Sequence, residues 1–312
     1  MATFAGVRHR SLIRIRSTAL SDRLGRAPYI LSIAALLDAA VTSAASLLFR
    51  DVLRGPEVGI GSLQGTALVV LVVAVPVLAA SMLLAERGSA RALLTWIGAL
   101  VYIAYQGVLF LFATPFNAFF FLYVAMLSLP VWSLLALLSR LPVQAIADRF
   151  DPRTHLRVFA GYLAVSMGLF VLMWLRATVP AVLSTEPPAF LEGTGMTTGP
   201  GQILDLGFFA PLVALTAVLA WRRRPWAYIL IGGQLVMLAI ESASIGVDQW
   251  FGHEADPTST LVSVDVVPVF AILTVIGVAA ASAFLASMSR TSTADDSGLH
   301  IDADLAGPNG PR

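Results

Sequence analysis

Carboxylates set within apolar runs are the residues of this chain whose types and surroundings could do chemistry. Asp38 lies ten residues into the run that follows Pro28. That places it roughly 15 Å deep, near the middle of an apolar core of about 30 Å. An ionised carboxylate there costs at least about 2.5–3.5 kcal/mol, so Asp38 should face other helices and be protonated or paired. Thr42, one helical turn on, could share its proton. Two readings follow: a proton or cation relay, or a neutral Asp hydrogen-bonded to a neighbouring helix.

A second group surrounds Glu241, fifteen residues beyond Trp226 and so roughly 22 Å along its run. Glu241, Ser244 and Asp248 are spaced i, i+3 and i+7, which is one helical face. Asp205 and Asp265, each at the outer start of another apolar run, would join that face if the three helices are adjacent. His253, Glu254 and Asp256 follow in what reads as a loop. A concentration of carboxylates with no Arg among them is solvated, protonated or bridged by a cation. Oxygen donors suit Ca²⁺ or Mg²⁺, and a lone His admits Zn²⁺. The expectation is a divalent-cation or proton-entry site at the outer face, with a solvated acidic loop as the alternative.

Other polar residues read more simply. Tyr102, Tyr105 and Gln106 share one run, and Asn117 and Tyr123 the next; Gln106 and Asn117 could line one cavity or bond between helices. Trp221-Arg222-Arg223-Arg224-Pro225-Trp226 reads as a turn at headgroup level, with the tryptophans as lipid anchors and the arginines facing anionic headgroups. There is no Cys, hence no disulfide or thiolate site. All 20 basic residues are Arg, which excludes a Lys-containing P-loop. His253-Glu254 is not a zincin motif because position 257 is Pro. The glycines from Gly59 to Gly65 lack dinucleotide-binding spacing, and no nucleophile elbow occurs.

The elements that must position these residues are membrane spans. Hydrophobic residues make up 57% of the chain and charged residues 12%, against roughly 45–50% and 25% in soluble domains. Apolar runs fall at 28–49, 66–85, 92–113, 117–138, 158–178, 204–220, 226–247 and 263–287. The fold expected is an all-α integral membrane protein, a single bundle of about eight transmembrane helices. Residues 1–27 form a basic tail, 28–289 the transmembrane domain and 290–312 a Ser/Thr/Asp/Gly tail expected to be disordered.

Arginine distribution sets the orientation. With both termini inside, 17 arginines fall on the inner side and three, Arg50, Arg54 and Arg176, on the outer. That bias places the N- and C-termini in the cytoplasm of a bacterial plasma membrane. The segment 139–157 reads as an interfacial helix or a basic loop, and the Pro/Gly-rich segment 179–203 as a linker or a lid. Small residues four apart, Ala35, Ala39 and Ser43 in the first run and Ala279, Ala283 and Ser287 in the last, suit close helix packing. Either face would also suit a homodimer seam. The arginine turn could also contact a cytoplasmic partner, though topology alone would explain it; beyond that, the lipid bilayer and a second copy no partner is implied, and nothing supports nucleic-acid binding.

Two stretches, Phe116–Ala125 and Asp205–Phe208 continuing through Trp221–Tyr228, carry a resemblance. They are similar to a family of uncharacterised polytopic membrane proteins of high-GC, actinobacterial-type bacteria, over about two-thirds of the chain. The resemblance implies a multi-pass architecture and brings no activity, cofactor or substrate. The residues themselves suggest a proton- or cation-linked transporter, with Asp38 titrating and Glu241, Asp248 and Asp265 forming an outer vestibule. The alternatives are a membrane-embedded enzyme acting on a lipid or isoprenoid at the outer face, and a non-catalytic assembly or sensor protein.

Overall fold

The computed structural model describes residues 24–186 and 188–288. The tails, with His9, His300 and most of the tail arginines, lie outside the described residues. Eight helices are long and apolar enough to cross a membrane. They are α1 (Arg26–Leu48), α2 (Glu57–Glu86), α3 (Ala90–Phe112), α4 (Phe120–Leu138), α6 (Leu156–Leu183), α7 (Pro200–Trp221), α8 (Pro225–Ala255) and α9 (Val264–Ala286). The short α5 (Val143–Ala147) lies between α4 and α6.

Among the boundaries that differ from the sequence reading, three have a plain physical reason. Helix α2 starts nine residues earlier, because Gly59, Gly61 and Gly65 do not break it; two of them let it approach α8. A Cβ on Gly61 would lie 2.5 Å from the Phe251 carbonyl oxygen, and one on Gly65 would lie 2.7 Å from that of Val247. Helix α7 starts at Pro200, whose fixed φ suits a first turn. Helix α8 runs on to Ala255, so residues 248 to 255 are its last two turns and not a loop. The turn begins only at Asp256.

The long α8 is the axis of the bundle, packing mainly on α2, α9 and α3 and also on α5, α6 and α7. Helix α1 packs on α4 and α2, α3 on α4 and α2, and α6 on α7. Within lipid there is no hydrophobic drive between helices, so close packing and interhelical hydrogen bonds hold the bundle. Trp96 donates to Ser32 at 2.9 Å, Ser32 and Ser133 share a hydrogen bond, and Ser133 donates to the Pro28 carbonyl at 3.3 Å, tying α3, α1 and α4. Gln234 donates to Thr216 at 2.7 Å, joining α8 to α7. Such bonds contribute about 0.6 kcal/mol each on average. Ala35, Ala39 and Ser43 are buried inside the bundle, whereas Ala279 and Ala283 on α9 are exposed.

The two ends of the bundle differ. At one, Arg140 donates to the Leu24 carbonyl at 3.2 Å, Arg149 to Gly88 at 3.3 Å, Arg223 to Pro152 at 3.4 Å, and Arg91 to Met288. Phe150, just after α5, packs with its ring tilted against Tyr228 and Phe284 at 4.6 and 4.9 Å, so this segment is a packed plug at that end. At the other end Arg50 pairs with Glu57, and Arg54 donates to the Phe116 carbonyl at 3.4 Å. Arginines therefore close the first end by capping carbonyls between elements.

Candidate functional site

Helix α3 places Tyr102, Tyr105 and Gln106 along one buried strip. Opposite it, the i, i+3, i+7 face of α8 presents Glu241, Ser244 and Asp248, as its spacing implied. Tyr102 donates to Ser244 Oγ at 3.0 Å, and Gln106 Nε2 to Glu241 Oε2 at 2.6 Å. Glu241 is 8% exposed and Gln106 1%. This facing pair is possible because Gly98 on α3 meets α8 with no room for a side chain. A Cβ there would lie 2.7 Å from the Gly233 carbonyl oxygen.

Asp205 reaches the same place from α7. It opens a π-helical segment, Asp205–Phe209, whose wider turn displaces the side-chain register of an otherwise α-helical span. Asp205 is buried and accepts two hydrogen bonds, from Tyr105 Oη at 3.3 Å and from Trp174 Nε1 of α6 at 2.8 Å. Phe209, at the end of the same segment, packs edge-on against Tyr105 with centroids 5.4 Å apart.

Asp248 is half-buried about two turns beyond Glu241, towards the acidic end of α8. Gln249 donates to its Oδ1 at 3.2 Å, and its backbone carbonyl accepts from Ser62 of α2 at 3.2 Å. The charged groups acting on Glu241 are Asp248 and Asp205, both acidic. Among the described residues no Arg is a hydrogen-bond partner or charged neighbour of these three carboxylates. Around them are acceptors, three aromatic donors and amides. Gln106 Oε1 is buried and has no hydrogen-bond partner at all.

The remaining candidates lie elsewhere. Asp38 is half-buried on α1, its Oδ2 enclosed without a partner, and Thr42 Oγ1 is likewise enclosed and unpartnered. Helix α1 lies against α2 and α4, and no hydrogen bond links Asp38 to the Glu241 cluster. Asp265 is exposed in the turn that opens α9 and does not join the cluster. His253 is half-buried and Glu254 exposed near the end of α8. Asp256 accepts from the Thr258 hydroxyl at 2.7 Å and its N–H at 3.0 Å. These two bonds hold the Asp256 carboxyl below its ordinary pKa. Among the described residues no three His, Asp or Glu side chains gather as a metal-binding set. Asn117 Oδ1 accepts from the Phe119 N–H at 2.9 Å before α4, while Gln106 bonds to Glu241.

Trp221 and Trp226 are exposed by 58% and 41% on either side of the arginine turn, as headgroup anchors would be. Arg157 lies 5.5 Å from the centroid of the Trp221 ring. Arg223 carries a positive φ of 48°, and the Arg224 N–H bonds back to the Leu219 carbonyl at 2.9 Å, which closes α7 in the manner of a Schellman cap.

Trp174 and the Gln106–Glu241 bond went unread in the sequence. Trp174 sits inside an apolar run, where only its distance from either headgroup layer could have marked it as a buried donor. The close approach of α2 to α8 did carry a signal, the four-residue spacing of Gly61 and Gly65. Comparison of the chain with protein-family models, curated proteins and solved structures finds no match.

Proposed function

We propose that this multi-pass membrane protein is a proton- or cation-linked transporter of the bacterial plasma membrane, with both termini in the cytoplasm and Glu241 carrying the exchanged ion. The observation that supports this reading most is the setting of Glu241. It is buried at 8% exposure, is held by Gln106 at 2.6 Å, and has two further acids as its charged neighbours. An unpaired buried carboxylate costs several kcal/mol, and a chain retains such groups in a membrane where protons or ions are handled. A proton or cation that enters the cluster removes that cost, and its departure restores it. The cluster is thus able to alternate between two ionic states.

The role first assigned to Asp38 moves to Glu241, since Glu241, unlike Asp38, has other ionisable groups and polar side chains from several helices around it. Asp38 and Thr42 stay as a separate polar pair on α1. The arginine-capped end supports the orientation, because arginine accumulates on cytoplasmic segments.

The test is proton flux in proteoliposomes carrying an internal pH-sensitive dye, under an imposed potential. Wild-type protein is expected to move protons, and Glu241→Gln, which preserves shape, to reduce the flux by about a hundredfold, the scale of a lost essential proton carrier. Equal flux in the two proteins contradicts the proposal.

A further inference from the structure

A cleft of about 180 Å³ lies between α6 and α9, with α8 as its floor. It is lined by Phe170 and Met173 of α6, Leu238 and Ser242 of α8, and Phe270 and Leu273 of α9. Its rim residue Leu169 is 64% exposed on the apolar flank of the bundle, so the cleft opens towards the lipid. The cleft and the carboxylate cluster lie on adjoining faces of two helices, about 100° apart around each helix axis. Met173 and Ser242 line the cleft, while their chain neighbours Trp174 and Glu241 belong to the cluster.

The cluster itself lacks two things. Among the described residues it has three carboxylates and no positive charge, and it has a buried acceptor, Gln106 Oε1, with no donor. A protonated amine supplies both, a positive charge and an N–H. A bare alkali ion would satisfy the charge and leave the apolar cleft without a purpose. A neutral lipid would fill the cleft and do nothing for the charge.

Building on the Glu241 reading, we infer that the substrate is a lipophilic amine in its protonated form, which reaches the cluster from the bilayer through this cleft. Its ammonium group takes the place of the proton on the cluster, its N–H bonds to Gln106 Oε1, and its apolar body occupies the cleft. Arrival of the cation displaces the proton, so the two share one site and exclude one another.

The test is equilibrium binding of radiolabelled N,N-dimethyldodecylamine to purified protein in lipid nanodiscs, corrected for empty nanodiscs, with labelled 1-dodecanol as the neutral control. Wild-type protein is expected to bind the amine at least about tenfold more tightly than the alcohol. Glu241→Gln should remove that preference. Leu169→Trp, at a lipid-facing position where a larger side chain leaves the core untouched, should weaken amine binding while the protein still elutes as a single species. Equal binding of amine and alcohol by wild type overturns the inference, as does amine binding unchanged in both variants. Proton flux separates this from the reading beneath it. Glu241-dependent flux without amine binding removes the substrate and leaves Glu241 as the ion carrier, whereas flux equal in wild type and Glu241→Gln removes the carrier as well.

Discussion

At the scale of single residues, the cluster turns on the amide of Gln106. Its Nε2 holds Glu241 in place, and removing it leaves a buried carboxylate with no neutral partner. Gln106→Leu is therefore expected to cost about 1–3 kcal/mol, the price of a hydrogen bond to a charged group left unmade, readable as a lower midpoint of thermal unfolding. Gln106→Glu adds a fourth acid and should destabilise further. A second residue-scale prediction concerns Asp256, whose carboxyl is held below its ordinary pKa by Thr258. Its contribution to the turn is complete above the unfolded value of about 3.9 and fades as pH falls through the lower folded value. The protection of the Thr258 amide, its exchange rate relative to the intrinsic rate at the same pH, should therefore be lost only under strongly acidic conditions, and Asp256→Ala should lack it at every pH. Arg223, with φ of 48°, offers a third: Arg223→Gly should raise stability by about 1 kcal/mol, since glycine adopts this conformation without strain.

At the scale of the helix, the close approach of α2 to α8 positions the Asp248 end of the cluster. Gly65→Leu would force a side chain into the backbone of Val247 and Asp248 and should prevent correct packing. Gly161→Leu on α6 meets nothing within 4 Å and should be tolerated. Comparing the two by size-exclusion elution and helical content separates a packing role from helix propensity. These helices also explain what could be read from the sequence. Run length and hydropathy revealed every span, and the i, i+3, i+7 spacing placed Glu241, Ser244 and Asp248 on one face. The same rules misplaced the start of α2, because glycine reads as a breaker where it serves as a contact, and the end of α8, because its last turns are polar. Neither the π-helical segment at Asp205 nor the donor from Trp174 leaves a periodic trace. Which helices neighbour α3 is set by side-chain packing in three dimensions, so the partner of Gln106 was not legible.

At the scale of the whole molecule, the two ends of the bundle differ in charge, and the account assigns the arginine-capped end to the cytoplasm. A chain with no Cys makes this directly testable. Arg153→Cys should react with a membrane-impermeant maleimide only after cells are opened, and Thr258→Cys should react in intact cells; the reverse pattern would invert the topology. The same assignment puts the Glu241 cluster in the outer half of the membrane and the packed plug around Phe150 on the inner side. Exchange of a proton or cation with the cluster then proceeds most readily from outside, and release inward requires the plug or its neighbouring helix ends to move. The central claim, that Glu241 binds and releases the exchanged proton, is tested most directly by infrared difference spectroscopy of the protein in lipid, titrated with pH. A protonated-carboxyl band that appears and disappears reversibly in wild type, and is absent from Glu241→Gln, is the predicted result. A band that persists unchanged in Glu241→Gln, or one that does not respond to pH in wild type, would contradict it.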